Sequence, residues 1–491
     1  MKRAAFLLAL TGAALFLPGR WYLLAWLPFA AGGWLVLRLP RRTALVFILL
    51  GAAVLPLIAA RQPPTSSDDV YRYLWDGRVQ LAGIDPYRYP PSAPELRPFR
   101  DDVLWPRTSS WCTPDGCTLI NRPDVPTIYP PVAEGVFTAA VALSPPPAGP
   151  RPMQLTAAAA AFLVTLILWY LLSDPRRAVF WAWCPLVALE TGNNAHVDVV
   201  AVLLAALALG LLARRRPALG GAVLGLAIAT KVTPGLLLPA VVRRRPVAVA
   251  LGVLGAIATV YLPHVLAVGP AVLGYLPGYL HEEGFANGDR YALLSWVLPH
   301  ALAQPAAVVI LAAVSVWILC TSDPDRPWLG AGTMVAAALV VTTPNYPWYA
   351  LLLVMLVALG APAELLVLGV AAYVAQLETD LGLHGNAGPR LGYAVALAVV
   401  ATGFMLRTRR LAGLVRRVPG LIQRRARLGL HPAAPPDVRG ERDKCPSDRD
   451  RSAGTVKFLD EPLSQLQRIH HPAHSPDVDP GNIPQGLPTR R

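Results

Sequence analysis

"DVVAVLLAALALGLLARRRPALGGAVLGLAIATKVTPGLLLPAVVRRRPVAVALGVLGAIATVYLPHVLAV", residues 198–268, is the stretch whose reading decides the fold. Apolar runs at 197–213 and 247–268 end on two arginine triplets, Arg214–Arg216 and Arg243–Arg245. A membrane-spanning helix needs about 20 apolar residues, with about 17 as the floor. Both runs meet that length, and neither shows the alternation of a membrane barrel strand. Between the triplets, residues 217–242 leave room only for a short hairpin, broken near "TKVTPG", with Lys231 near its tip.

The same grammar covers most of the chain. Its 491 residues are 54% hydrophobic and 15% charged, against about 25% charged in soluble domains. Mean hydropathy is +0.44. Fibrous, disordered and disulfide-scaffold classes are excluded by the lack of a Gly period, sparse charge and only five Cys. Further spans read at 21–38, 43–60, 152–172, 302–320, 328–343 and 391–406, with shorter ones at 4–18, 177–190, 347–360 and 363–378. The first of these short runs also reads as a signal peptide, with its basic start and short apolar core. The expected fold class is therefore an all-α polytopic membrane protein of about 12–14 transmembrane helices.

Charge orients the bundle. Lys2/Arg3, Arg38/Arg41/Arg42, Arg176/Arg177, both triplets and the eight Arg between Arg407 and Arg427 all belong in the cytoplasm by the positive-inside rule. Segment 61–151 holds nine Arg and ten acids, so it belongs outside, as a large first extracytoplasmic loop. "YPPVAEGVFTAAVALSPPP" has too short an apolar stretch to cross, and 131–144 reads as a helix lying on the outer surface. The expected organisation is 1–60 amino-terminal spans, 61–151 extracytoplasmic loop, 152–406 transmembrane core, and 407–491 basic segment and Pro-rich disordered tail. Both termini are then cytoplasmic. The basic 407–427 stretch suits anionic membrane lipids. The net charge of +14 is accounted for by orientation, so no nucleic-acid partner is implied.

Chemistry-bearing residues gather at the outer ends of the spans. "SSDDVYRYLWDGRVQLAGIDPYRYPP" packs Asp68, Asp69, Arg72, Asp76, Arg78 and Asp85 among aromatics directly after a span. Two adjacent carboxylates repel, and partial burial of one suits a general base. An N-capped acidic helix start, with Ser66 and Ser67 before the Asp pair, fits the same letters. "LETGNNAHVDVV" adds Glu190, Asn194, His196 and Asp198; "YLHEEGFANGDRY" adds His281 and Glu282; "TTPNYPWYA" adds Asn345 and Tyr346. Ionisable groups at span ends mark a pathway or a site. Together with Lys231 and Tyr129 they suit a reaction on a lipid-linked phosphate. A carboxylate takes a proton from an acceptor hydroxyl, cations meet the departing phosphate, and aromatics stack on sugar rings. Cys112 and Cys117 flank "TPDG" in the outer loop and are disulfide candidates. No structural zinc motif is present; several acids leave a divalent metal site open beside a base with helpers.

"DDVYRYLWDGRV…GIDPYRYPP", "IYPPVAEGVF", "WCPLVALETGNNAHVD", "GLAIATKVTPGLLLP" and "NYPWYALLL", in this order, resemble the GT-C glycosyltransferases. Within them the chain is similar to bacterial polyprenol-phosphate-mannose-dependent alpha-mannosyltransferases, including those of lipomannan and phosphatidylinositol mannoside assembly. The resemblance covers roughly residues 40–400. It implies a catalytic base in the first outer loop: Asp69, by its spacing to "GIDPY", with Asp68 second. It also implies His196 and Asp198 as site residues, a hairpin carrying Lys231, and an inverting transfer without a nucleotide-sugar domain. Donor and acceptor would be a polyprenyl-phosphate sugar, with mannose the family's commonest, and a glycolipid or glycan. The active site would face outward from the cytoplasmic (inner) membrane. The three spans before the loop depart from the single span usual in that branch. A transporter or flippase of lipid-linked sugars is the alternative; it should show matched inverted repeats with broken helices, and only one broken hairpin is found.

Overall fold

A computed structural model describes Gly12 and residues 22–427, apart from 110, 114–115, 145–148 and 383–385, with side chains described no further than residue 408. Apart from Gly12, the expected span at 4–18 lies outside the described residues, as does the tail from about 430 with Cys445. By contacts the chain divides into Met1–Val415 and Arg416–Arg491; of the second, residues 416–427 are described, as helix.

The described part of the first unit is mostly helical. Its one sheet among the described residues is a two-stranded ribbon, Trp111–Thr113 with Gly116–Thr118, carrying a disulfide between Cys112 and Cys117. Among the described residues five helices are long and apolar enough to cross a membrane: Arg41–Ala59, Arg151–Leu171, Pro246–Glu282, His300–Thr321 and Ala387–Thr408. Shorter apolar helices, among them Tyr22–Val36, Asp198–Ala213, Pro217–Ile228, Pro327–Thr342 and Pro347–Leu359, stand with them. The protein is an all-α polytopic membrane protein. Small residues let these helices close: a Cβ on Gly221 or Gly225 would strike the backbone at Val249 or Val253.

The turns fall into two sets. Arg176 donates to the Leu37 carbonyl at 2.9 Å, Arg177 to the Val357 carbonyl at 2.7 Å, and Arg243 to the Ser322 carbonyl at 2.6 Å. These arginine-rich turns form a basic face. At the other ends, Asn193 bonds to Thr65, Gln376 to the Ser66 carbonyl, and Tyr393 to the Pro344 carbonyl. Residues 217–242 form the hairpin expected from the two triplets. The Pro217–Ile228 helix rises from the basic face, turns at Thr230–Lys231, and returns through Thr233–Leu237 and Leu238–Val241.

The Pro131–Ala142 helix is too short to span a membrane by itself. Val132 N–H donates to the Ala229 carbonyl at 3.0 Å, and Arg151, beyond the helix's far end, donates to the Arg61 carbonyl at 2.7 Å. Both ends thus stay at the Asn193–Thr65 face. Twelve residues reach about 18 Å, well short of a ~30 Å hydrocarbon core. The helix packs instead on Asp69–Leu81, where Tyr73 stacks on Phe137 with ring centroids 4.3 Å apart.

Candidate active site

The site starts from how the Asp69–Leu81 helix is held. Asn193 accepts from Thr65 N–H and Oγ1 at 3.0 and 2.7 Å, and its amide donates to the Ala59, Gln62 and Pro63 carbonyls. Asn194 accepts from Ser66 N–H at 3.3 Å and donates to Ser66 Oγ at 2.7 Å. The two amides fix the chain immediately before the helix, and Ser67 Oγ then accepts from Asp69 N–H at 3.3 Å. They can reach it because Ala188–Asn193 winds as a π turn, a distortion common at functional sites. Gly192 is required there: a Cβ would collide with the Pro56 carbonyl.

Asp69 consequently opens into a cavity of about 480 Å³. Its walls include Asp68, Arg72, Asn121, Arg122, Tyr129, Lys231, Tyr279, Tyr346, Trp348 and Tyr349. Asn121 Nδ2 donates to Asp69 Oδ1 at 2.7 Å. Behind the other oxygen, His196 Nδ1 lies 3.8 Å from Asp69 Oδ2 while its Nε2 lies 3.3 Å from Glu190 Oε2. Neither contact has hydrogen-bond alignment, so both ring nitrogens are buried without a bond. The ring is held by stacking on Trp348 at 3.9 Å, and Trp348 stacks on Tyr346 at 4.8 Å. Lys231 Nζ lies 3.2 Å from Asp198 Oδ2 and sits over the rings of Tyr129 and Tyr349 at 5.4 and 5.9 Å.

A second, strongly polar chamber of about 290 Å³ shares Arg122, Glu283 and Tyr346 with the first. Arg122 grips Glu282 through Nε and Nη2 at 2.7–3.0 Å. Glu283 accepts from Tyr346 Oη and from Arg290 Nη1, both at 2.9 Å. Asn287, Asp289, Asn345 and Asn386 also line it. Arg122, Ala195 and Thr343 adopt φ of +48°, +59° and +36°. Each stands in or beside a cavity wall, and such backbone strain is characteristic of functional sites.

Beneath the cavity the same helix carries a different acidic group. Asp76, 2% exposed, receives Arg72 Nε at 2.9 and 3.0 Å. The Arg72 guanidinium also donates to the Val125 carbonyl, which shapes the loop bearing Asn121 and Arg122. Glu134, fully buried on the surface helix, accepts from Thr127 at 2.7 Å and Gln80 at 2.8 Å. Burial and then the charge of Asp76 push the Glu134 carboxyl well above the ordinary carboxylate range.

The structure thus brings Asp68, Asp69, Arg72, Tyr129, Lys231 and Tyr346 into one cavity wall, and Glu282 and Asn345 into the adjoining chamber. Asn194, His196 and Asp198 stand buried behind these walls, and Asp76 lies below them. Two expected residues fall elsewhere. Arg78 turns away to Asp101 at 2.6 Å, and His281 is exposed and lines neither cavity. Asn121, Arg122, Tyr279, Arg290 and Tyr349 were not singled out from the sequence. The one signal for the first two was polar letters in "INRPDVP" just before "IYPP". Among the described residues no cluster of three His, Cys, Asp or Glu is arranged for a metal ion.

The fold is a helical membrane bundle whose cavity gathers a carboxylate, two cations and an aromatic wall. Residues 1–245 match the MptA_B family, described as Alpha-(1->6)-mannopyranosyltransferase, N-terminal domain, and the chain belongs to this mannosyltransferase family. No curated protein and no solved structure matches it. The matched half holds Asp69, Asn121, Arg122, Tyr129, His196, Asp198 and Lys231, whereas the 275–290 and 343–349 walls lie beyond it.

Proposed function

We propose that the protein is an inverting mannosyltransferase that takes its sugar from a polyprenyl-phosphate donor and places it on a glycolipid or glycan acceptor, with Asp69 as the base. The observation that carries this reading is the Asp69 carboxylate, 17% exposed, opening into a cavity that also presents Lys231 and Arg122. The acceptor hydroxyl loses its proton to Asp69 as its oxygen bonds the anomeric carbon. On the opposite face of the sugar the carbon–oxygen bond to phosphate breaks, and the phosphate leaves with the electron pair. Lys231 keeps ammonium donors beyond the one near Asp198, and Arg122 faces the same space, so both stabilise that developing charge. Asn121 and His196 orient the base from either side. Tyr129, Tyr346, Trp348 and Tyr349 offer ring faces to a pyranose. Ile128, Val232 and Leu276 supply apolar wall where the prenyl tail would begin.

The positive-inside rule places the basic face in the cytoplasm and the cavity outside the cytoplasmic membrane. Segment 61–151 then acts as the catalytic loop and 152–406 as the transmembrane core, with both termini inside.

The test is transfer of labelled sugar in membranes holding wild type or Asp69→Asn at equal abundance. Donors are polyprenyl-phosphate mannose, polyprenyl-phosphate glucose and a nucleotide mannose. Transfer from the mannosyl lipid alone, lost in Asp69→Asn and giving inverted product, is the expected result. Transfer from the nucleotide sugar, or retained configuration, would overturn the donor or the mechanism.

A further inference from the structure

The basic face contains a recess that the reaction does not use. It measures about 430 Å³ and is lined by Leu212, Arg215, Pro217, Val241, Arg244, Arg245, Val249, Pro324 and Pro327. Its floor is apolar and buried: Val241 is 9% and Val249 1% exposed. Its rim carries three guanidinium groups. Arg244 is bound bidentately to Asp325 at 2.7 and 2.8 Å, which neutralises one of them. Arg215 and Arg245 have no side-chain hydrogen bond or ion pair among the described residues.

The backbone at Arg215 adds an independent observation. Arg215 follows the Asp198–Ala213 helix with φ +59°, the left-handed conformation that usually selects Gly or Asn at this position. Keeping an arginine there incurs backbone strain, and its side chain must answer for it. Next to the recess, Leu219, Val247 and Leu251 are exposed apolar side chains on the outside of the bundle. A free anion has no use for the apolar floor, and an uncharged lipid has none for two unpaired guanidinium groups. An amphiphilic anion uses both.

We propose that this recess binds the phosphate group of an anionic membrane lipid, with Arg215 and Arg245 holding its oxygens and the apolar floor taking the first carbons of its tail. Guanidinium forks match phosphate oxygens in geometry and charge. The site lies at the face opposite the Asp69 cavity and does not depend on which sugar or donor the enzyme uses.

The experiment uses the full chain purified in a neutral detergent. Retention by native mass spectrometry and the melting midpoint are followed during titration with phosphatidylglycerol, phosphatidylcholine, a polyprenyl phosphate or inorganic phosphate. Variants are Arg215→Gly, which suits the local φ and removes only the side chain, and Arg245→Gln. The basic 407–427 segment is intact in every variant, so its adsorption to lipid cancels in the comparison. The expected result is retention of phosphatidylglycerol over phosphatidylcholine by wild type, weakened about tenfold in each variant. Polyprenyl phosphate behaving like phosphatidylglycerol supports the site as a lipid-phosphate site. Equal retention in wild type and variants, equal retention of the two phospholipids, or binding of inorganic phosphate without either lipid would overturn the proposal.

Discussion

Asp69 and Asp76 leave one helix, Asp69–Leu81, and meet opposite surroundings. Asp69 stands at the first turn, facing the cavity, with one hydrogen bond from Asn121 and a histidine close by. Asp76 stands in the middle, sealed from solvent, with both oxygens accepting from Arg72 Nε. The same side chain faces open space in one place and is sealed into the support of a loop in the other. What separates them is exposure and the charge of the partner: Asp69 meets a neutral amide at the edge of a cavity, whereas Asp76 is buried against the guanidinium that shapes the loop bearing Asn121 and Arg122.

Substitutions can break or sharpen this contrast. Asp69→Asn should lower transfer by about 10³-fold while leaving the melting midpoint in detergent unchanged. A large fall in midpoint would make Asp69 architectural too, and full activity would move the base to Asp68. Asp76→Ala should do the reverse, because it strands the buried Arg72 charge at a cost of about 3–5 kcal/mol. Its signature is a lowered midpoint or loss from the membrane; a stable variant that lacked activity would erase the distinction. Lys231→Gln should reduce transfer about 10²-fold, through the departing phosphate, with part of the loss visible as weaker donor binding.

The smallest effect is expected at Glu134→Gln. A group whose folded pKa is raised contributes stability that is full below its unfolded value and is lost as pH rises through the folded one. Wild type should therefore lose stability as pH rises above the ordinary carboxylate range and Glu134 is driven to ionise beside Asp76. Glutamine keeps the neutral shape, so the variant should show a flatter midpoint-against-pH curve, within about 1 kcal/mol of wild type where Glu134 is neutral. An identical slope in both proteins would assign the titration elsewhere.

Much of this was legible in the letters because it rested on local rules. The hairpin with Lys231 at its tip followed from 26 residues caught between two arginine triplets, too few for two full spans. The short helix at 131–142 followed from a short apolar run between prolines. The gathering of 66–69, 190–198, 282–290 and 343–349 followed from where spans end. Direction inside loops did not follow. His281, Glu282 and Glu283 are neighbours, yet the last two line a chamber and the first faces away, because the helix ends there and each side chain leaves at a different angle. Asn121 and Arg122 were illegible for a related reason. Their loop has no periodicity, and its shape is set from Arg72, 50 residues earlier in the chain, through carbonyl bonds.

The two walls of the Asp69 cavity come from different parts of the chain. Asp69, Asn121, His196 and Lys231 lie within residues 1–245, while Tyr279, Tyr346, Trp348 and Tyr349 come from after it. The two parts are nevertheless locked together. Gly221 and Gly225, on the hairpin that carries Lys231, leave no room for a Cβ against the Val249 and Val253 backbone, and Trp348 stacks on His196. A carboxyl-terminal half from another protein would therefore have to match these close contacts before its aromatic wall could face the Asp69 cavity.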